Sequence, residues 1–149
     1  MTERRFAPVQ GYEGRVRLPE RKTALSAGYD LEAAEEVTLQ PGQVALVPTG
    51  LKAYMGPGEV LLLAVRSSLA VKRQVTLANG IGVIDADYVD NPDNEGHIMV
   101  ALANLGQHPV TIARGERIAQ GIFLSYMTTV DDRPGGARVG GIGSTGRTG

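Results

Sequence analysis

The 149-residue chain has no cysteine and no tryptophan. Without cysteine there is no disulfide, no thiol nucleophile and no thiolate metal site. No apolar run approaches the roughly 18 residues of a membrane-spanning helix, and the opening Met-Thr-Glu-Arg-Arg lacks the apolar core of a secretory signal. A cytoplasmic protein without membrane attachment is expected. An excess of charge is missing too: the formal net charge is -1, whereas broad nucleic-acid or polybasic membrane surfaces need a clustered positive field. Nucleic acid is therefore not an expected partner. Lysine is scarce, at 3 of the 15 basic residues against 12 arginines, a bias that suits forked recognition of phosphate by a few local guanidiniums.

Glycine is abundant instead, at 20 residues, which points to tight turns rather than helix bundles. Turn signals recur at strand-like spacing: Pro41-Gly42, Pro48-Thr49-Gly50, Gly56-Pro57-Gly58, Asn79-Gly80, Asn91-Pro92-Asp93-Asn94, His108-Pro109 and Gly115. Between them lie short apolar runs, several of them β-branched, at 43–47, 60–65, 81–84, 98–105, 110–113 and 118–127. A single all-β domain over 1–130, an antiparallel sandwich or barrel, is the natural class for such a chain. Val16 and Leu18 flank Arg17 in an alternation that predicts pairing at a sheet edge. Residues 67–72 predict one short helix with Ser67 or Ser68 as its cap. His97 and His108, in polar turn-rich context, are expected to be solvent-exposed rather than metal ligands.

The stretch Asn79-Gly80-Ile81-Gly82-Val83-Ile84-Asp85-Ala86-Asp87-Tyr88 concentrates turn chemistry, a short apolar run, two carboxylates and a ring. Asn79-Gly80 predicts a hairpin, because both residues accept positive φ, and Val83-Ile84 then reads as the strand that delivers Asp85. In an extended strand Asp85 and Tyr88 point to opposite faces. If both serve one pocket, the strand must bend or end between them.

Residues 131–149 change character, with Pro134-Gly135-Gly136 and then Gly140-Gly141-Ile142-Gly143-Ser144-Thr145-Gly146. Too little apolar side chain is present to repay ordering entropy, so a flexible arm is expected. Gly141 to Gly146 satisfies Gly-x-Gly-x-x-Gly, but that motif needs a helix after it, and the sequence ends at Gly149. A Gly-Ser-Thr run that nests an anion is what remains.

In order, Ala27-Gly28-Tyr29-Asp30-Leu31, Arg66-Ser67-Ser68-Leu69-Ala70, the stretch from Asn79 to Tyr88, Gly115-Glu116-Arg117-Ile118-Ala119-Gln120, and Arg138 with the glycine-rich arm resemble the five motifs of the trimeric all-β dUTPases. The resemblance implies a β-barrel or jelly roll, a homotrimer with sites shared between subunits, and Mg2+-assisted hydrolysis of dUTP to dUMP and pyrophosphate. That activity keeps uracil out of DNA and supplies dUMP for thymidylate synthesis. By the same resemblance Asp85 is the base that activates water. Tyr88 stacks under the deoxyribose and leaves no room for a 2′-hydroxyl, while Asn79 and the backbone of Gly82, Val83 and Ile84 read the uracil. Asp30 orients the metal through water. Arg66, Ser67, Ser68 and Gln120 hold phosphates, and Arg138, Ile142, Gly143, Ser144 and Thr145 close over the nucleotide from another subunit.

Three departures from the family pattern stand out. Ser68 replaces the usual glycine and resembles the related dCTP deaminases, Ile142 replaces an aromatic ring, and the turn after Tyr88 is expanded over 90–95, expected as a surface loop. Two alternatives follow. One is a dCTP deaminase or bifunctional deaminase on the same scaffold, for which Glu95 is the nearest glutamate to the Asn79 to Tyr88 stretch. The other is a nucleotide-gated binding module.

Overall fold

A computed structural model describes residues 3–136, 138 and 140. The arm residues Ile142, Gly143, Ser144 and Thr145 lie outside the described residues. Among the described residues there are eleven strands and one helix. In chain order these are β1 (Arg5–Pro8), β2 (Tyr29–Glu32), β3 (Val37–Leu39), β4 (Val44–Pro48), β5 (Leu51–Tyr54), β6 (Glu59–Val65), α1 (Ser67–Arg73), β7 (Val75–Leu77), β8 (Gly82–Asp85), β9 (Met99–Asn104), β10 (Val110–Ile112) and β11 (Arg117–Ser125). All strand pairs are antiparallel. They form a four-stranded sheet in the order β2-β11-β6-β8, a three-stranded sheet β4-β9-β7, and two ribbons, β1-β5 and β10-β3. The expected all-β class with one short helix is what the chain adopts, as jelly-roll-like sheets rather than one continuous closed barrel. No helix among the described residues is long and apolar enough to cross a membrane.

The sheets close on one core. Phe6 of β1, Leu31 of β2, Leu39 of β3, Val47 of β4, Leu61 and Leu63 of β6, Leu102 of β9 and Ile118 of β11 all belong to a single buried cluster. The alternation that turns every second residue of a half-buried strand inward is clearest in β5, where Leu51 and Ala53 are buried and Lys52 and Tyr54 are not. Asn104, fully buried at the end of β9, holds three backbone groups. Its Nδ2 donates to Leu39 O at 3.0 Å and His108 O at 2.8 Å, and its Oδ1 accepts from Gly106 N at 2.9 Å.

Three local expectations are corrected. Val16 and Leu18 join no strand, and the pairing near them is an isolated bridge between Arg21 and Tyr29. Neither serine caps α1: the N-cap position is Arg66, whose carbonyl accepts from Leu69 N and Ala70 N, and no side chain caps the helix. Asn79-Gly80 does make a turn, with Gly80 at φ 74°, but β7 before it pairs with β9 and β8 after it pairs with β6. The turn carries the chain from one sheet to another instead of closing a hairpin.

Asn104→Ala leaves the buried Leu39 carbonyl and the part-buried His108 carbonyl and Gly106 N–H without their side-chain partner. It is expected to destabilise the protein by roughly 3 kcal/mol, read as a lower urea midpoint at fixed protein concentration with an unchanged slope.

Candidate active site

β8 is four residues long because it begins at Gly82 and stops at a turn. A Cβ at Gly82 would lie 3.0 Å from Leu63 Cβ, so glycine lets β8 lie close against β6. Tyr88 N donates to Asp85 O at 3.1 Å. The strand therefore ends at Asp85 and the chain reverses at once, so Asp85 and Tyr88 line one cavity of about 570 Å³ with Asn79, Gly82, Val83 and Ile84. β8 is also the outermost strand of its sheet, so its second row of backbone N–H and C=O groups has no strand beside it among the described residues.

Arg138 closes the cavity from the far end of the chain. Its guanidinium pairs with Asp85 and, at 2.7 Å, with Asp87, and it lies 5.9 Å from the centre of the Tyr88 ring. Burial alone would loosen its proton, but the Asp87 and Asp85 carboxylates outweigh that and raise its pKa. The family resemblance implies that Arg138 acts from another subunit; within the chain itself it already reaches Asp85.

Tyr88 is buried, and its hydroxyl donates to His97 O at 2.6 Å and accepts from Asn94 Nδ2 at 2.9 Å. Burial raises its pKa, against the opposing pull of the Asn94 donor and Arg138. The expanded 90–95 turn is not simply a surface loop, since Asn91 is only 5% exposed and the segment wraps around it. Glu95 is tied to Lys52 Nζ at 2.8 Å, and Lys52 also meets Asp90 Oδ1 at 2.6 Å. Lys52 holds both carboxyls below the ordinary carboxylate range. Glu95 thus belongs to an ion-pair cluster and does not line the Asp85 cavity.

A second cluster lies at the opposite end of β6. Asp30 on β2 sits 3.5 Å from Arg66 Nη1 and 3.6 Å from Arg117 Nη1. Gln120 on β11 is paired in register with Asp30 on one side and Ala64 on the other. A Cβ at Gly28 would sit 2.5 Å from Gln120 Oε1, so glycine is what admits the glutamine there. Ser67 and Ser68 are exposed at the start of α1. Arg117, which the sequence reading quotes only within a motif, is a member of this cluster, and its place three residues before Gln120 was the available signal. The two clusters do not meet within one chain. Asp85 is paired with Val60 at one end of β6, and Arg66 follows the other end, roughly 20 Å away at the usual rise per strand residue.

Asp30 is a lone carboxylate between two guanidiniums, and no group of three metal-ligating side chains occurs among the described residues. Such a donor set fits Mg2+ that keeps its waters and takes its direct ligands from phosphate, not one caged by protein.

Of the histidines, His108 is exposed as expected, but His97 is half-buried with its ring 5.3 Å from that of Tyr12. Its Nε2 accepts from Gly50 N at 2.8 Å. Burial lowers its pKa despite the nearby Glu35 and Glu95. The unfolded chain then takes up a proton near pH 6.5 that the folded state resists. The stability contributed by neutral His97 is complete above that value and is lost as pH falls through the lower folded value. Melting temperature followed from about pH 8 to about pH 5 should fall on acidification in the intact protein and fall less in His97→Gln.

The sequence profile of the dUTPase family matches residues 15–146. The deoxyuridine 5'-triphosphate nucleotidohydrolase of Lactococcus lactis is 46% identical, over 98% of this chain and 99% of its own length. The crystal structure of dUTPase from Streptococcus mutans superposes with a TM-score of 0.79 at 45% identity, covering 83% of this chain and 97% of its own. A mutant dUTPase from phage phi11 of S. aureus, described with a coordinated structural Mg(II) ion, shares the fold at a TM-score of 0.75 and 22% identity, over 89% of this chain and 96% of its own. With Asp85 and Tyr88 in one cavity on this scaffold, the chain belongs to the dUTPase family.

Proposed function

We propose that this protein hydrolyses dUTP to dUMP and pyrophosphate, with Asp85 as the base. The observation that carries this reading is the return of Tyr88 beside Asp85 under an open strand edge. Uracil presents acceptor, donor and acceptor along one edge, which the outer backbone groups of β8 can match as a partner strand would, with Asn79 at the entrance. The deoxyribose then lies against Tyr88. Water attacks the α-phosphorus and gives its proton to the Asp85 carboxylate as the bond to the bridging oxygen breaks and pyrophosphate leaves. Mg2+ supplies charge neutralisation on the triphosphate when bound, with Asp30 holding its water shell. Arg138 exchanges its carboxylate partners for the substrate's phosphates and shields the reaction from bulk water.

A homotrimer with shared sites is the assembly this reading requires. Arg66, Ser67, Ser68 and Gln120 are the phosphate-holding set, yet they lie too far from Asp85 of the same chain for one triphosphate to bridge, so a neighbouring copy must bring them in. Val44 and Leu46, 57% and 46% exposed on β4, provide apolar surface for such an assembly. The deaminase alternative is disfavoured by Glu95, which is committed to Lys52.

Pyrophosphate release from dUTP with Mg2+ tests the reaction. Asp85→Asn is expected to lose about 10²- to 10⁴-fold in rate while still binding nucleotide. Consumption of dCTP with loss of ammonia by the intact protein would count against this reading. Sharing of sites is tested by co-refolding inactive Asp85→Asn chains with inactive Arg66→Ala chains. Activity should reappear in the mixture, because some sites then combine an intact Asp85 with an intact Arg66; a silent mixture would place each site within a single chain.

A further inference from the structure

The expanded turn after Tyr88 is bonded densely to Tyr88 itself. Asn91 donates through Nδ2 to Tyr88 O at 2.7 Å and to Asn94 Oδ1 at 2.8 Å, and its own Oδ1 accepts from Asp93 N and Asn94 N. Asn94 Oδ1 accepts from Gly96 N as well, at 3.0 Å. With two N–H groups aimed at that oxygen, the amide orientation is fixed and Nδ2 must face the Tyr88 hydroxyl. The backbone closes the same knot. Gly96 takes φ 82°, and a Cβ there would lie 2.6 Å from Val89 Cα and 2.8 Å from Tyr88 O. Lys52 clamps the two flanks through Asp90 and Glu95.

The Tyr88 hydroxyl therefore has its one proton committed to His97 O and a lone pair committed to Asn94 Nδ2. Tilting the ring breaks both bonds. A ring that excludes a 2′-hydroxyl by contact can do so only if it does not yield, since a ring free to tilt away would make room for the extra oxygen. We infer that Asn94 is a positioning residue that holds the Tyr88 ring against the sugar, and that the 90–96 segment thereby sets the preference for deoxyribonucleotide over ribonucleotide. This rests on the proposed placement of deoxyribose against Tyr88.

Asn94→Asp isolates the bond. The new carboxylate can still accept from Asn91 and Gly96, but it has no N–H to give the Tyr88 hydroxyl. In the full-length protein with Mg2+, kcat/KM for dUTP is expected to fall about tenfold, chiefly through KM, and the preference for dUTP over UTP to narrow by a similar factor. In a Tyr88→Phe background the same substitution should change neither quantity further, because the hydroxyl it acts through is gone. Undiminished selectivity in Asn94→Asp, or an equal loss of selectivity in the Tyr88→Phe background, overturns the inference while leaving dUTP hydrolysis standing. An intact protein that turns over dUTP and UTP alike overturns the placement of the sugar against Tyr88 itself. Should Asn94→Asp fail to fold, Tyr88→Phe alone reads the same bonds, and full selectivity in that variant overturns the inference.

Discussion

The 3.1 Å hydrogen bond from Tyr88 N to Asp85 O closes the turn on which the candidate site is built. It ends β8 at a carboxylate, brings the ring back to the cavity that the strand edge lines, and starts the segment that returns through Gly96 to β9. A strand continuing for three more residues would carry Tyr88 to the face opposite Asp85. The strand edge, the Asp85 carboxylate and the ring lie in one cavity because an extended conformation is abandoned at a single peptide group. The cost is backbone strain soon afterwards, with Asp90 and Glu95 at positive φ, offset by the amide network around Asn91 and by the Lys52 ion pairs.

Charge follows the same division of labour. Carboxylates and guanidiniums meet at both ends of β6, Arg138 with Asp85 and Asp87 at one and Arg66 and Arg117 with Asp30 at the other. Each pairing keeps a cation near the place where phosphate is expected, and each can be exchanged, since the acids are partly exposed and the fork of arginine fits phosphate as readily as carboxylate. The Lys52 cluster is built alike, with an ammonium largely covered and shared between two acids, but none of its members lines the Asp85 cavity, which suits a fixed strut more than an exchangeable contact.

Much of this was legible in the sequence. Turn residues at strand spacing gave the class and six of the strands. The misses have physical reasons. β1, β2, β3, β5 and β7 are three or four residues long, too short for alternation alone to single them out from the sequence, and are held by partners far along the chain. Asn79-Gly80 carries the local signature of a hairpin, but the partners of β7 and β8 are chosen by burial in two different sheets, which no local signal encodes. The capping of α1 was misread because serine is a good cap in general, while here both hydroxyls remain at the surface and the Arg66 carbonyl closes the first turn. Asn91 and Asn94 read as turn punctuation, and nothing in their identity announces that one is buried and the other holds a ring.

The register that sets Gln120 opposite Asp30 joins β2, near the start of the chain, to β11, near its end. During synthesis β2 emerges early and must wait for almost the whole domain before its partner leaves the ribosome. Until then Leu31, which ends up fully buried, has no sheet to enter, and the nascent chain depends on not pairing wrongly in the interval. Long-range pairing of this kind makes folding slow. It also means that a chain truncated before β11 lacks more than that strand, because the cluster of Asp30, Arg66 and Arg117 is the last part to form.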